Sequence, residues 1–134
     1  GTPQMNFING TLEKKGDDVH FVFENTSIKV PAEKINDTVK EYIGKEVIVG
    51  IRPENIHDEP VHLATFGDSV VDTSVEVTEL MGAEIYLYLL VGETKLIARV
   101  SSRSTSRAGD EIKVAFDTTR LHIFDKDTER CIAH

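Results

Sequence analysis

Most signatures that announce a chemistry are missing from this sequence. It holds a single cysteine, Cys131, in 134 residues, and no tryptophan. A lone cysteine excludes an intrachain disulfide framework and is compatible with a reducing compartment. No apolar run approaches the roughly 18 residues of a membrane-spanning helix. The opening "GTPQMNFING" has neither the charged start nor the apolar core of a secretory signal. Also missing are G-x-x-x-x-G-K-[ST] and G-x-G-x-x-G, the glycine-rich cradles for nucleotide phosphates, and the G-x-S-x-G elbow of serine hydrolases. The chain is therefore not an autonomous nucleotide hydrolase. Nothing specifies a nucleophile or a base, so it reads as a non-enzyme with no catalytic residue and no cofactor of its own. Positive charge is scarce as well: the formal net charge is -8. Gripping a nucleic-acid backbone needs clustered Lys and Arg to neutralise phosphates, so no nucleic-acid partner is expected.

What the sequence does have is β-pattern. A hydrophobic share of 40% suffices for one ordinary domain with a core. "MNFINGTLEKKGDDVHFVFENTSIKVP" divides into three short β-rich pieces at polar turns. "AEKINDTVKEYI", 32 to 43, places Ile35, Val39, Tyr42 and Ile43 at helical spacing before Gly44, and predicts the one short helix. "KEVIVGI" returns to strand until Pro53, and 54 to 68 reads as a crossing loop. In the next run Val71, Thr73, Val75 and Val77 fall on one face. Ile85, Leu87 and Leu89 oppose Tyr86 and Tyr88, and "KLIARV" closes a hairpin across Gly92-Glu93-Thr94. Gly82 interrupts the strand pattern and is read as a bulge or a close backbone approach. "EIKVAF", "RLHIF" and "RCI" are further strands, with "DKDTE" a polar turn rather than a calcium loop. The expected architecture is all-β, a barrel or sandwich with one helix. It forms a single unit over 1–134 whose interlocked pieces, about 1–53 and 69–134, are joined by 54–68.

Two groups carry metal-ligand residue types. "HDEPVH" brings His57, Asp58, Glu59 and His62 together, but the spacing fits no closed-site signature, and a solvated acidic loop is the simpler account. Cys131 with His122 and His134 ranks below it, so no metal is expected. Arg99, Arg103, Arg107 and Arg120 form a thin basic set, read as a solvated face.

Four segments, in order, then point to a family: "GTPQMNF", "VGIRPENI" at 49 to 56, "VEVTELMGAEIYLYL" at 75 to 89, and "RAGDEIKVAFDTTRLHIFDKDTE" at 107 to 129. Together they resemble the C-terminal regulatory domain of the ATPase subunits of bacterial carbohydrate-importing ABC transporters, the maltose-type group. The resemblance implies an oligonucleotide-binding-type (OB-fold, TOBE) barrel with additional strands, a name that describes topology and not ligand. It places Gly50, Arg52, Pro53 and Glu54 on the family's G-[IV]-R-P-E segment, Glu79 and Gly82 on its E-x-x-G segment, and Phe124 and Asp125 on its closing F-D segment. It implies a non-catalytic role in regulating and pairing ATPase subunits, with Tyr86, Tyr88, Leu121 and Phe124 as candidates for a homodimer interface. ATP and magnesium would belong to a preceding nucleotide-binding domain absent from this chain. The longer protein would lie on the cytoplasmic face of the membrane, against membrane subunits and a regulatory protein. Two other functions stay open: an oxyanion-binding module of the molybdate-system type, whose S-x-R-N start "SSRSTSRAG" matches poorly, and a true oligonucleotide-binding barrel.

Overall fold

The computed structural model describes residues 4–134; Gly1 to Pro3 of the opening "GTPQMNF" segment lie outside the described residues. Eleven strands run in chain order: β1 (Asn6–Lys15), β2 (Asp18–Phe23), β3 (Thr26–Val30), β4 (Glu46–Ile51), β5 (Ile56–His57), β6 (Val70–Met81), β7 (Glu84–Val91), β8 (Thr94–Ser101), β9 (Glu111–Phe116), β10 (His122–Asp125) and β11 (Cys131–Ala133). They form two sheets, ordered β11-β10-β4-β1-β2-β3 and β5-β9-β6-β7-β8. All of the named strand pairs are antiparallel, which suits short strands with one buried face.

Alternation decides which side chains go in. Ile8 and Leu12 on β1, Val47, Val49 and Ile51 on β4, and Leu87 and Leu89 on β7 all enter one core shared by both sheets. Phe21, Phe23 and Phe116 stack through it, at centroid distances of 5.6 and 6.4 Å. One buried polar group stitches the sheets together. The Asn6 side chain donates to the carbonyls of Ile51 (3.1 Å) and Ile97 (2.9 Å) and accepts from the Ile97 amide (2.8 Å). Leaving such a buried amide unpaired would cost about 1–3 kcal/mol. The fold is all-β, as the patterning predicts.

Four local expectations are corrected. The helix expected over 32–43 is a 3-10 turn at Ala32–Lys34 followed by α1 (Asp37–Lys40). Asn36 separates them: its backbone is extended and its side chain accepts from the Val39 amide at 2.8 Å, so it begins a helix instead of continuing one. The segment 54–68 is not a loop. It contains β5 and α2 (Pro60–Thr65), the latter opened by Pro60 in the first turn. Gly82 is not a strand bulge but sits, at φ +62°, in the turn of the β6–β7 hairpin. The irregularity in β6 falls between Val75 and Val77, and past it Val77 turns out to solvent, 53% exposed, although its spacing puts it with Val71 and Val75. The β7–β8 hairpin is as predicted, except that Thr94 already pairs with Val91, leaving a two-residue turn.

Candidate functional site

The segment 56–66 supplies the first group of chemically capable side chains. His57 ends β5 and His62 lies on α2; their rings stack at 3.9 Å, inclined by 12°, with Phe66 alongside. Burial, and secondarily the proximity of His62, lower the pKa of His57. Asp58 turns the other way and accepts hydroxyl hydrogen bonds from Ser104 (2.5 Å) and Ser106 (3.0 Å). The serines of "SSRSTSRAG" are thus tied to a carboxylate, which would repel an anion in the cavity they line with Glu59 and Arg103. Arg107 serves the same loop, donating to the carbonyls of Ser104 and Ser106.

A second cavity is of opposite character. It measures about 500 Å³ and is lined by Arg52, Glu54, Asn55, Thr119, Arg120, His122 and His134. One wall is the 3-10 turn Pro53–Asn55, which follows β4 because Pro53 cannot continue the ladder. The other is the turn Thr118–Arg120, capped by Asp117, whose carboxylate accepts from the Thr119 amide (3.1 Å) and hydroxyl (2.6 Å). The Asp117 amide donates to the Asn55 carbonyl at 2.9 Å and joins the two walls. Glu54 is drawn toward Arg99 (4.0 Å), which also pairs with Glu84 (3.2 Å). Among the described residues neither Arg52 nor Arg120 forms an ion pair. Burial, then Lys34, His134 and Arg52, lower the pKa of His122, which lines the cleft.

Beside the cleft the hairpin of β10 and β11 gathers three donors. One ligand atom each of His122, Cys131 and His134 lies within 4.8 Å of the others, the one such group among the described residues. The expectation of no cofactor for the chain is corrected by that juxtaposition: the trio ranked below the 57–62 segment is the group whose ligand atoms converge. The Cys131–His134 spacing was visible in the sequence; His122 joins it only because β10 pairs with β11.

The family-motif positions scatter. Gly50 lies on β4 opposite Phe7 and His122, where an added Cβ would meet Met5 Sδ at 2.5 Å and Phe124 Cε2 at 2.8 Å. Its bare backbone lets Phe7 and Phe124 meet edge-on across the strand at 5.9 Å. Arg52 and Glu54 line the cleft and Pro53 is buried between them; Glu79 lies on β6 and Gly82 in the turn after it; Asp125 anchors the β10–β11 turn. Of the four interface candidates Leu121 is fully buried and presents no surface, while Tyr86, Tyr88 and Phe124 are half-buried. Arg52 belongs to the same cleft as Arg120, a partnership the thin basic set did not include.

A model of the MalK OB fold domain matches residues 1–56, and a model of the TOBE domain matches residues 49–124. The oligosaccharides import ATP-binding protein MsmX of Bacillus subtilis is 40% identical over 130 residues, covering 96% of this chain and 34% of its own length. The multiple sugar-binding transport ATP-binding protein MsmK of Streptococcus mutans is 35% identical, covering 98% and 34%. The chain thus spans about a third of the curated relatives it matches. The cytoplasmic molybdate-binding protein ModG shares the fold, with a TM-score of 0.67 at 10% identity over 88% of this chain and 94% of its own. The two domain models describe non-catalytic modules, and no helix among the described residues is long and apolar enough to cross a membrane. The two-sheet architecture, the R-P-E turn at Arg52 and the TOBE match over more than half of its length agree: the chain belongs to the TOBE domain family, in the form associated with ABC-transporter ATP-binding proteins.

Proposed function

We propose that this chain is a regulatory domain of the ATP-binding subunit of a sugar-importing ABC transporter, acting on the cytoplasmic face beside the membrane subunits, and that its cleft receives a small oxyanion. The observation that carries the ligand reading is the cleft itself. Arg52 and Arg120 line it without carboxylate partners among the described residues, and Glu54, also in the lining, faces Arg99 at 4.0 Å. Guanidinium forks match tetrahedral oxyanions in both charge and geometry. Asn55 and His122 add further polar groups to the lining. ModG, of the same fold, is a molybdate-binding protein. Calorimetric titration with molybdate, sulfate and phosphate tests the reading. Saturable binding of at least one anion, weakened about tenfold or more in Arg52→Ala and in Arg120→Ala, is expected. Absence of saturable heat for all three would remove it.

A second activity, pairing of ATPase subunits, rests on a different observation: Phe7 is 63% exposed and packs on Phe124 at the outer face of the first sheet. A twofold contact would cover that aromatic pair, and aromatic side chains are common interface anchors. Sedimentation equilibrium over a concentration series should show a dimer that Phe124→Ala weakens with folding intact. A monomer at every concentration would count against pairing through this domain.

A further inference from the structure

The trio on the β10–β11 hairpin borders the cleft and asks for a chemistry of its own, argued from its donors and not from the oxyanion reading. His122 is the first residue of β10, Cys131 the first of β11, and His134 follows that strand directly. Cys131 Sγ lies 3.5 Å from His134 Nδ1, and all three ligand atoms fall within 4.8 Å of one another. A tetrahedral zinc ion bonds sulfur at about 2.3 Å and imidazole nitrogen at about 2.0–2.1 Å, which sets a sulfur–nitrogen edge of about 3.6 Å. The Cys131–His134 edge already has that length. The remaining edges lie within 4.8 Å and shorten on binding.

The backbone that carries the donors is held from outside the hairpin. Lys34, only 8% exposed, donates to the His134 carbonyl at 2.5 Å, and Asn36 donates to the Ile132 carbonyl at 2.9 Å. Ile123 pairs with Ala133 and Phe124 with Cys131. Ligands fixed before binding lose less conformational freedom on capture, which is what a specific site requires. The donor set is also selective: a thiolate and two imidazoles suit zinc, whereas magnesium and calcium demand oxygen.

We propose that His122, Cys131 and His134 form a binding site for a zinc-type divalent ion, with three protein ligands and one open position. His122 and His134 also line the cleft that Arg52 and Arg120 border. Water or an anion completes the coordination at the open position, as in other three-ligand zinc sites. On binding, the Cys131 thiol, which donates to the Ala133 carbonyl at 3.2 Å, gives its proton to solvent and its sulfur lone pair to the metal. The Lys34 and Arg52 charges near His122 oppose a dication, an opposition that a bound thiolate and a cleft anion offset.

The test is metal retention. The chain is loaded with zinc, dialysed and analysed for metal, and separately titrated with cobalt while thiolate-to-cobalt absorption is followed. Stoichiometric zinc and a cobalt–thiolate band are expected. Cys131→Ser should lose the band, and both Cys131→Ser and His134→Ala should lose zinc retention with an unchanged circular dichroism spectrum. The double variant His57→Ala, His62→Ala should keep both. No retained zinc, retention undiminished in Cys131→Ser, or retention lost only with His57 and His62 would each overturn the site.

Discussion

Two regions of this molecule collect histidine beside other ligand-type residues, and they do opposite things with them. Between 57 and 62 the residues are adjacent in sequence, yet the fold spends them separately. The two imidazoles stack face to face beside Phe66, while Asp58 turns away to bind Ser104 and Ser106. On the β10–β11 hairpin the residues stand farther apart in sequence, yet antiparallel pairing and the Lys34 and Asn36 ties bring their donors together. Ligand-type residues make a site only where backbone geometry converges their lone pairs. Closeness in sequence can do the reverse, because neighbouring residues on a strand end and a helix start face different surroundings.

That comparison predicts which substitutions are structural and which are functional. The largest stability effect belongs to Asp58→Ala. It strips two hydroxyl donors of a charged acceptor and frees the 101–106 loop, a loss of about 1.5–3 kcal/mol by the usual value of a charge-assisted bond. A lowered denaturant midpoint with anion and zinc binding intact is expected, and unchanged stability would deprive the 57–62 segment of its structural role.

Acid acts next, on the hairpin. Asp125 Oδ1 accepts from the Asp127 amide (2.8 Å) and the Thr128 amide (2.7 Å), and Oδ2 accepts from the Tyr42 hydroxyl (2.6 Å). The Thr128 backbone bond first, then Tyr42, lower its pKa to about 2. A folded-state pKa below the ordinary 3.8 means that the contribution is fully present above about pH 4 and is lost as pH falls toward 2. Denaturant titrations across that window should show the loss in the native chain and a flatter dependence in Asp125→Asn. Identical slopes would show that the Asp125 turn does not hold the hairpin.

The smallest effect lies near neutrality. Burial and then His62 lower the pKa of His57 below 6.5, so the folded state resists protonating it. Stability should decline as pH falls from 6.5 toward the lowered value, and His57→Phe, which keeps a ring in the stack, should decline less. Equal decline in both chains would mean that the stack does not disfavour the charged imidazole.

Much of the fold was legible because alternation is local. The buried and half-buried faces of β7 fall where Leu87, Leu89, Tyr86 and Tyr88 predict. Where the sequence misled, one residue had two uses. Asn36 fits a helical period and also caps, and capping won. Gly82 fits a bulge or a turn, and the turn won because the strands on both sides pair with each other. The bulge near Val75 carries no glycine to mark it. The cleft and the metal trio were nearly illegible for a different reason: each needs partners from separate elements. Arg52 meets Arg120 and His122 only once β4 pairs with β10, and His122 meets Cys131 only once β10 pairs with β11.

The most direct test of the central claim, that ligand chemistry resides at the cleft and hairpin rather than at the histidine-rich segment, is an amide-by-amide NMR map. Nitrogen-15-labelled chain would be titrated separately with molybdate and with zinc. The account predicts molybdate shifts at residues 52–55 and 119–122, zinc shifts at 122 and 131–134, and still resonances at 57–62 and 101–106 in both series. Shifts confined to 57–62 or to the serine loop, or none in either titration, would contradict it.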